Sequence, residues 1–179
     1  IALEKFLIKL KSEKPKAKPR KRLKLKSPVF TTGDCLVFKL TNGNYGGAVV
    51  LATDNNPETA CNLVATTRLN QKAKPTLEDF ENAQVLICNF GQWEDKTDVI
   101  WYMPDLFYKD YSEIYENVGE ISVDYEYDPK NYNGEDYLFN PMWTSGWDMK
   151  DTAERQFQSE VSKAKPSKNL TIKQLTKKE

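Results

Sequence analysis

Residues 30–51 constrain the fold of this chain more than any other stretch. Two apolar runs flank Asn42-Gly43 there, and this dipeptide best tolerates the positive φ angles of a two-residue type I′ turn. Such a turn would place Phe38 opposite Gly47 and Leu36 opposite Val49. The sequence therefore predicts an antiparallel hairpin, around which the remaining elements are arranged.

Alternation along the two strands then predicts two faces, both apolar enough to be at least partly covered. One face would carry Leu36, Phe38, Leu40, Tyr45, Val49 and Leu51. The other would carry Cys35, Val37, Lys39, Ala48 and Val50.

Short strands and helices are predicted to follow the hairpin. Thr76, with Asp79 three residues later, has the pattern of a helix N-cap. Strands are predicted over 62–69, 84–90, 99–103 and 120–127, and helices over 1–12, 74–83, 105–117 and 148–163. The fold class expected is mainly β (a β-rich α+β fold) in a single compact domain. Its architecture is expected to be an SH3-like barrel or a strongly bent antiparallel sheet, with short helical inserts and basic tails.

The charge distribution suggests three segments. Residues 1–26 hold eleven Lys or Arg and two Glu, a net charge of +9. Residues 27–149 hold seven basic and twenty acidic residues, a net charge of −13. We therefore expect a helical remnant and basic Pro/Lys linker over 1–26, a β-rich core domain over 27–150, and a helix with a basic tail over 151–179. Residues 1–26 and about 165–179 are expected to be dispensable for folding.

Several classes of function are disfavoured by composition. The chain has no His, so Ser-His-Asp and Cys-His catalysis are ruled out and the commonest metal ligand is missing. Cys35, Cys61 and Cys88 lack metal-site spacing, and Cys35 and Cys88 lie in apolar runs typical of buried thiols. We expect no enzyme activity, metal or cofactor. With no apolar run of membrane-spanning length and no signal-peptide pattern, we expect no membrane partner and a cytoplasmic location.

Aromatic residues, mostly Tyr and Trp, are concentrated beside acids in residues 102–147, a composition typical of a protein-binding surface with an apolar centre and charged rim. The part that offers both acids and aromatic residues most densely is 124–147. An alternative of about equal weight is that the aromatic residues plug the core of a small β domain. Nucleic-acid binding by the core domain is disfavoured because the surrounding charge is negative, whereas the tails could still bind it. The candidate partner-binding residues are Asp124, Tyr125, Glu126, Asp128, Tyr132, Glu135, Asp136, Tyr137 and Trp143.

The pattern F-x-x-G-D-x-x-x-F-x-L-x-N-G-x-Y-G begins at Phe30 and ends at Gly46. With the apolar run over 85–90 and the tetrapeptide VGEI that begins at Val118, it resembles the bacterial Immunity protein 26 family over residues 29–125. The resemblance implies a β-rich immunity protein encoded beside a polymorphic toxin, which it neutralises. The expected partner is thus a cognate protein toxin, such as a nuclease. The alternative is an SH3-like nucleic-acid-associated module whose basic tails contact phosphate.

Overall fold

A computed structural model describes residues 2–12, 27–57, 60–102, 114–127, 138–139 and 148–178. Within them, six strands form one sheet in the order β7-β1-β2-β3-β6-β8, and β4 pairs with β5 separately. Neighbouring strands are antiparallel except β6 and β8, which are parallel. The strands are β1 (Asp34–Lys39), β2 (Tyr45–Thr53), β3 (Asn62–Thr66), β4 (Ile87–Cys88), β5 (Lys96–Thr97), β6 (Val99–Tyr102), β7 (Glu116–Glu120) and β8 (Leu138–Phe139). The helices are α1 (Ala2–Lys11), α2 (Leu77–Glu81), α3 (Met149–Ser159) and α4 (Ile172–Thr176).

The predicted hairpin is present, but its register differs by one residue. Phe38 lies opposite Gly46, not Gly47. The Leu40 N–H donates to the Asn44 carbonyl at 2.9 Å, so the loop has three residues. Gly43 takes the positive φ of +83°, as the last residue of a three-residue hairpin loop usually does. The predicted type I′ turn is therefore wrong, although the glycine requirement behind it holds.

A one-residue slip moves every side chain of one strand to the opposite face. Ala48 and Val50 of β2 consequently share a cluster with Leu36 and Phe38 of β1. Val49 and Leu51 of β2 instead pack with Cys35 and Val37. A Cβ atom at Gly46 would collide with the Phe38 ring, so this glycine gives the ring its space.

The sheet is covered on both faces, which explains why its central strands are almost uninterrupted runs of apolar residues. One face packs against α2, α4 and residue Ile121, through Phe80, Ile172 and Leu175. The other face packs against residues 86–90 and α3, through Met149 and Ala153.

The predicted α2 is confirmed together with its capping box, in which the Thr76 side chain accepts from the Asp79 N–H. The predicted α1 and α3 are also present. α1 differs from the others because none of its residues is buried.

Three predictions for the second half of the chain differ from the structure. The strand expected over 120–127 is replaced by β7 at Glu116–Glu120, which pairs with β1. The C-terminal end of the helix expected over 105–117 is also wrong, because residues 116 and 117 belong to β7. Ile114 is helical, and residues 105–113 lie outside the described residues. The prediction that residues 165–179 are dispensable for folding conflicts with the complete burial of Ile172.

The mainly β fold class is confirmed. Of the two predicted architectures, the closed SH3-like barrel is not formed, because β7 and β8 do not pair with each other among the described strands. The sheet is open, with irregular register between Asp34 and Leu36 and between Val50 and Ala52. The domain boundaries at 26 and 150 remain a prediction. No helix in the described ranges combines the length and apolarity needed to span a bilayer.

Candidate partner-binding surface

Residues 121–127 run along α4 after β7 ends. The Asp124 N–H donates to the Thr176 carbonyl at 2.6 Å, and the Tyr127 hydroxyl donates to the Leu175 carbonyl at 2.5 Å. Ile121 is buried at the start of the segment. Three contacts therefore fix the backbone of this segment against the domain.

Between those contacts, three of the predicted binding residues face solvent. Asp124, Tyr125 and Glu126 are exposed, and Tyr125 retains 45% of its accessible surface. The Tyr125 ring lies 5.8 Å, centroid to centroid, from that of Tyr127. We call Asp124, Tyr125 and Glu126 the acidic-aromatic strip.

The structure brings these three predicted residues together and does not address the other six. Those six lie outside the described residues: Asp128, Tyr132, Glu135, Asp136, Tyr137 and Trp143. Tyr115 and Tyr102, from the same aromatic-rich part of the sequence, are buried to 3% and 6% exposure. Tyr115 packs edge-on against Phe38 with ring centroids 5.6 Å apart. The alternative interpretation as core aromatics is thus correct for these two and not for Tyr125.

Cations lie closer to the strip than the sequence indicated. Lys173 and Lys177 of the C-terminal segment line a small recess of about 100 Å³ with Glu81, Ile121 and Ser122. We call it the α4 recess. Sequence separation of about fifty residues hid this proximity, because α4 was not predicted to fold onto the domain. Two lysines therefore line a recess beside residues 121 and 122, which directly precede the strip.

A polar network that sequence reasoning missed connects β4 and α3. Gln156 has no exposed surface; its amide oxygen accepts from the Asn89 N–H at 2.8 Å, and its amide nitrogen donates to Glu160 at 2.7 Å. The Glu160 carboxylate also accepts hydrogen bonds from both terminal nitrogens of Arg68, at 2.8 and 2.7 Å. Although burial alone raises the pKa of Glu160, the hydrogen bonds from Arg68 and Gln156 and the charges of Arg68 and Lys165 hold it below its usual value. Only the spacing of polar residues on α3 could have indicated this network.

Asp98 is the clearest perturbed carboxyl in the described residues. It is 4% exposed, its Oδ2 has no hydrogen-bond partner there, and burial raises its pKa to about 6 despite an opposing contribution from Thr66. A raised pKa in a cleft would be typical of a catalytic acid, but Asp98 lines neither the α4 recess nor the recess beside Arg68 and Lys165. We interpret it as a structural group of the sheet.

The cysteines are free and buried, as predicted for Cys35 and Cys88. Burial raises the pKa of the Cys35 thiol to about 12 and that of Cys88 further still, so both are protonated and poor nucleophiles at neutral pH. Across the ranges that the structure describes, no three His, Cys, Asp or Glu residues are grouped as a metal site requires.

Comparison with models of protein families, with curated proteins and with solved structures finds no match to this chain.

Proposed function

We propose that this chain is a non-enzymatic immunity protein, which binds and neutralises a cognate bacterial protein toxin through the acidic-aromatic strip and the acidic residues that follow it. The proposal rests first on the sequence resemblance over residues 29–125. It rests second on the net charge of −13 over residues 27–149, since an acidic surface attracts a protein whose active site is basic.

The observation that carries the proposal is the exposure of Tyr125 on a fixed backbone. An exposed aromatic ring on a segment held by Asp124 and Tyr127 loses little conformational freedom when a partner covers it, which favours affinity. Tyr is also among the residues that dominate binding energy at protein interfaces. Asp124 and Glu126 on either side would act mainly by steering the encounter.

The test is a binding measurement with the protein encoded beside this chain's gene as the candidate toxin. Tyr125→Ala should weaken binding by about 2 kcal/mol or more, mainly through faster dissociation. Glu126→Lys should slow association at low salt and lose its effect at high salt. Glu94→Lys reverses another exposed acid and serves as the matched control. Toxin binding that is unchanged in the first two variants, with the fold intact, would contradict the proposal.

The alternative function, nucleic-acid association through the basic tails, has one observation in its favour. The lysines of α1 are all exposed, and residues 1–26 carry a net charge of +9. Binding to single-stranded DNA that is lost when residues 1–26 are removed, in the absence of any toxin binding, would favour this alternative. The steep salt dependence of phosphate contacts would accompany it.

A further inference from the structure

A second recess, on a different part of the surface, is lined by cations. It has a volume of about 250 Å³ and is lined by Arg68, Gln84, Lys165, Pro166, Ser167, Lys168 and Asn169. We call it the basic recess. It is formed where the segment that follows α3 passes Arg68 and Gln84, whose backbones are joined by a hydrogen bond of 2.8 Å.

The wall of the basic recess is fixed on both sides. The Arg68 side chain is 19% exposed and is held by the two-point contact with Glu160, itself 8% exposed. On the opposite side, the Asn89 amide donates to the Ala164 carbonyl at 2.9 Å, and the Ser167 hydroxyl donates to Asp95 at 2.8 Å. These contacts place the segment that carries both lysines.

The charges of the basic recess are not balanced. Glu160 pairs with Arg68 and also lies within the electrostatic reach of Lys165, and Asp95 is bonded to Ser167. Lys165 and Lys168 form no ion pair with any residue in the described part of the chain, so the cations here outnumber the acids. Two ammonium groups beside one recess repel each other, and an anion between them would turn that repulsion into attraction. This local excess of positive charge contrasts with the net charge of −13 over residues 27–149.

The lining also indicates which anion would fit. Gln84 and Asn169 add amide donors, and no aromatic residue lines the recess, so nothing there could stack on a nucleobase. The volume lies below the range of about 300–1,000 Å³ that is typical of sites for larger ligands. These features favour a compact tetrahedral oxyanion, whose oxygens accept several hydrogen bonds at once.

We propose that the basic recess is a binding site for a phosphate group, either as inorganic phosphate or as the phosphate of a small monoester. Lys165 and Lys168 supply the charge, and the amides of Gln84 and Asn169 supply neutral donors. This site is independent of the proposed immunity function and of the acidic-aromatic strip.

The test is a titration of the full chain with inorganic phosphate, followed by backbone amide NMR, with sodium chloride at equal ionic strength as the reference. We expect saturable shifts at the amides of Gln84, Ser167 and Asn169. Lys165→Gln with Lys168→Gln should weaken binding by about tenfold or more, since it removes two charged donors. Lys173→Gln with Lys177→Gln removes the same charge from the α4 recess and should leave phosphate binding unchanged.

A parallel titration with glycerol 3-phosphate distinguishes the two sources, because tighter binding than inorganic phosphate would identify a monoester site. Shifts that do not saturate, that chloride reproduces, or that both double variants reduce equally would overturn the proposal. Because all four lysines are exposed, these substitutions should leave the fold intact, and the wild-type titration alone is decisive if they do not.

Discussion

The two ends of the chain are both rich in lysine and form helices, yet they have opposite environments. In α1, Leu3 and Ile8 keep 74% and 69% of their accessible surface. In α4, Ile172 is completely buried and Leu175 is 8% exposed. Apolar content cannot explain the difference, because α1 carries five large apolar residues and α4 only two.

Backbone hydrogen bonds to the domain account for it. The Val85 N–H donates to the Leu170 carbonyl at 2.7 Å, and the Ile172 N–H donates to the Ala83 carbonyl at 2.9 Å. These two bonds align the residues before α4 with the segment that follows α2, and the helix then covers one face of the sheet. A short amphipathic segment thus joins a core when its backbone has partners there, and composition alone does not reveal this.

The largest expected effect contrasts one residue from each end. Ile172→Ala removes a buried side chain and should lower the free energy of unfolding by about 2–5 kcal/mol. Phe6→Ala removes a ring that is 61% exposed and should change it by less than about 0.5 kcal/mol. Urea titration of both variants measures the contrast, and equal losses would break the comparison.

Asp98 shows what burial does to a carboxyl group whose Oδ2 has no hydrogen-bond partner in the described residues. Because its folded-state pKa is raised to about 6 from 3.8, its contribution to stability is fully present below about pH 4 and is lost as pH rises through about 6. Asp98→Asn abolishes this titration. The variant should therefore gain stability relative to the wild type between pH 4 and pH 7, by up to about 3 kcal/mol. If the difference in unfolding free energy between Asp98→Asn and the wild type stays constant from pH 4 to pH 7, the raised pKa of Asp98 is refuted.

Substitution of Gln156 tests whether the hydrogen bonds between α3 and residue 89 stabilise the fold. Gln156→Ala leaves the N–H of the half-buried Asn89 and part of Glu160 without their partner, and should cost about 1–3 kcal/mol. Gln158 lies two residues further along the same helix and is exposed, so Gln158→Ala is the matched control and should be nearly neutral. Thermal unfolding of the pair would show whether the network matters, and similar melting temperatures would mean that it does not.

The smallest effect concerns the cap that begins α4. Thr171 accepts from the Gln174 N–H in a capping box, so Thr171→Ala should cost about 1 kcal/mol. A loss near that of Ile172→Ala would instead show that the cap, and not burial, holds the segment in place.

The parts of the fold that could be predicted from sequence are those set by local signals. The Thr76 and Asp79 capping box and the apolar run of β6 are examples. The hairpin was located correctly, but Asn42-Gly43 fits both a two-residue and a three-residue loop, and the choice between them moved β2 by one residue. Local pattern cannot make that choice when both faces are apolar.

Elements decided by tertiary contacts were missed. β7 has the sequence ENVGE, which has little intrinsic strand preference, and it forms because β1 offers it an open edge. Of the predicted binding surface, Asp124, Tyr125 and Glu126 are exposed as expected. The α4 recess and the basic recess could not be predicted, because both form only when the C-terminal segment packs against the domain.

Hydrogen exchange of the full chain tests most directly whether the C-terminal segment belongs to the domain and fixes the acidic-aromatic strip. The amides of Ile172 and Asp124 donate to Ala83 and Thr176, and should be protected, Ile172 nearly as strongly as the amides of β2. The α1 amides should exchange rapidly, since an isolated helix of ten residues is marginal in water. Unprotected amides at Ile172 and Asp124, or protection of α1 equal to that of β2, would contradict the account.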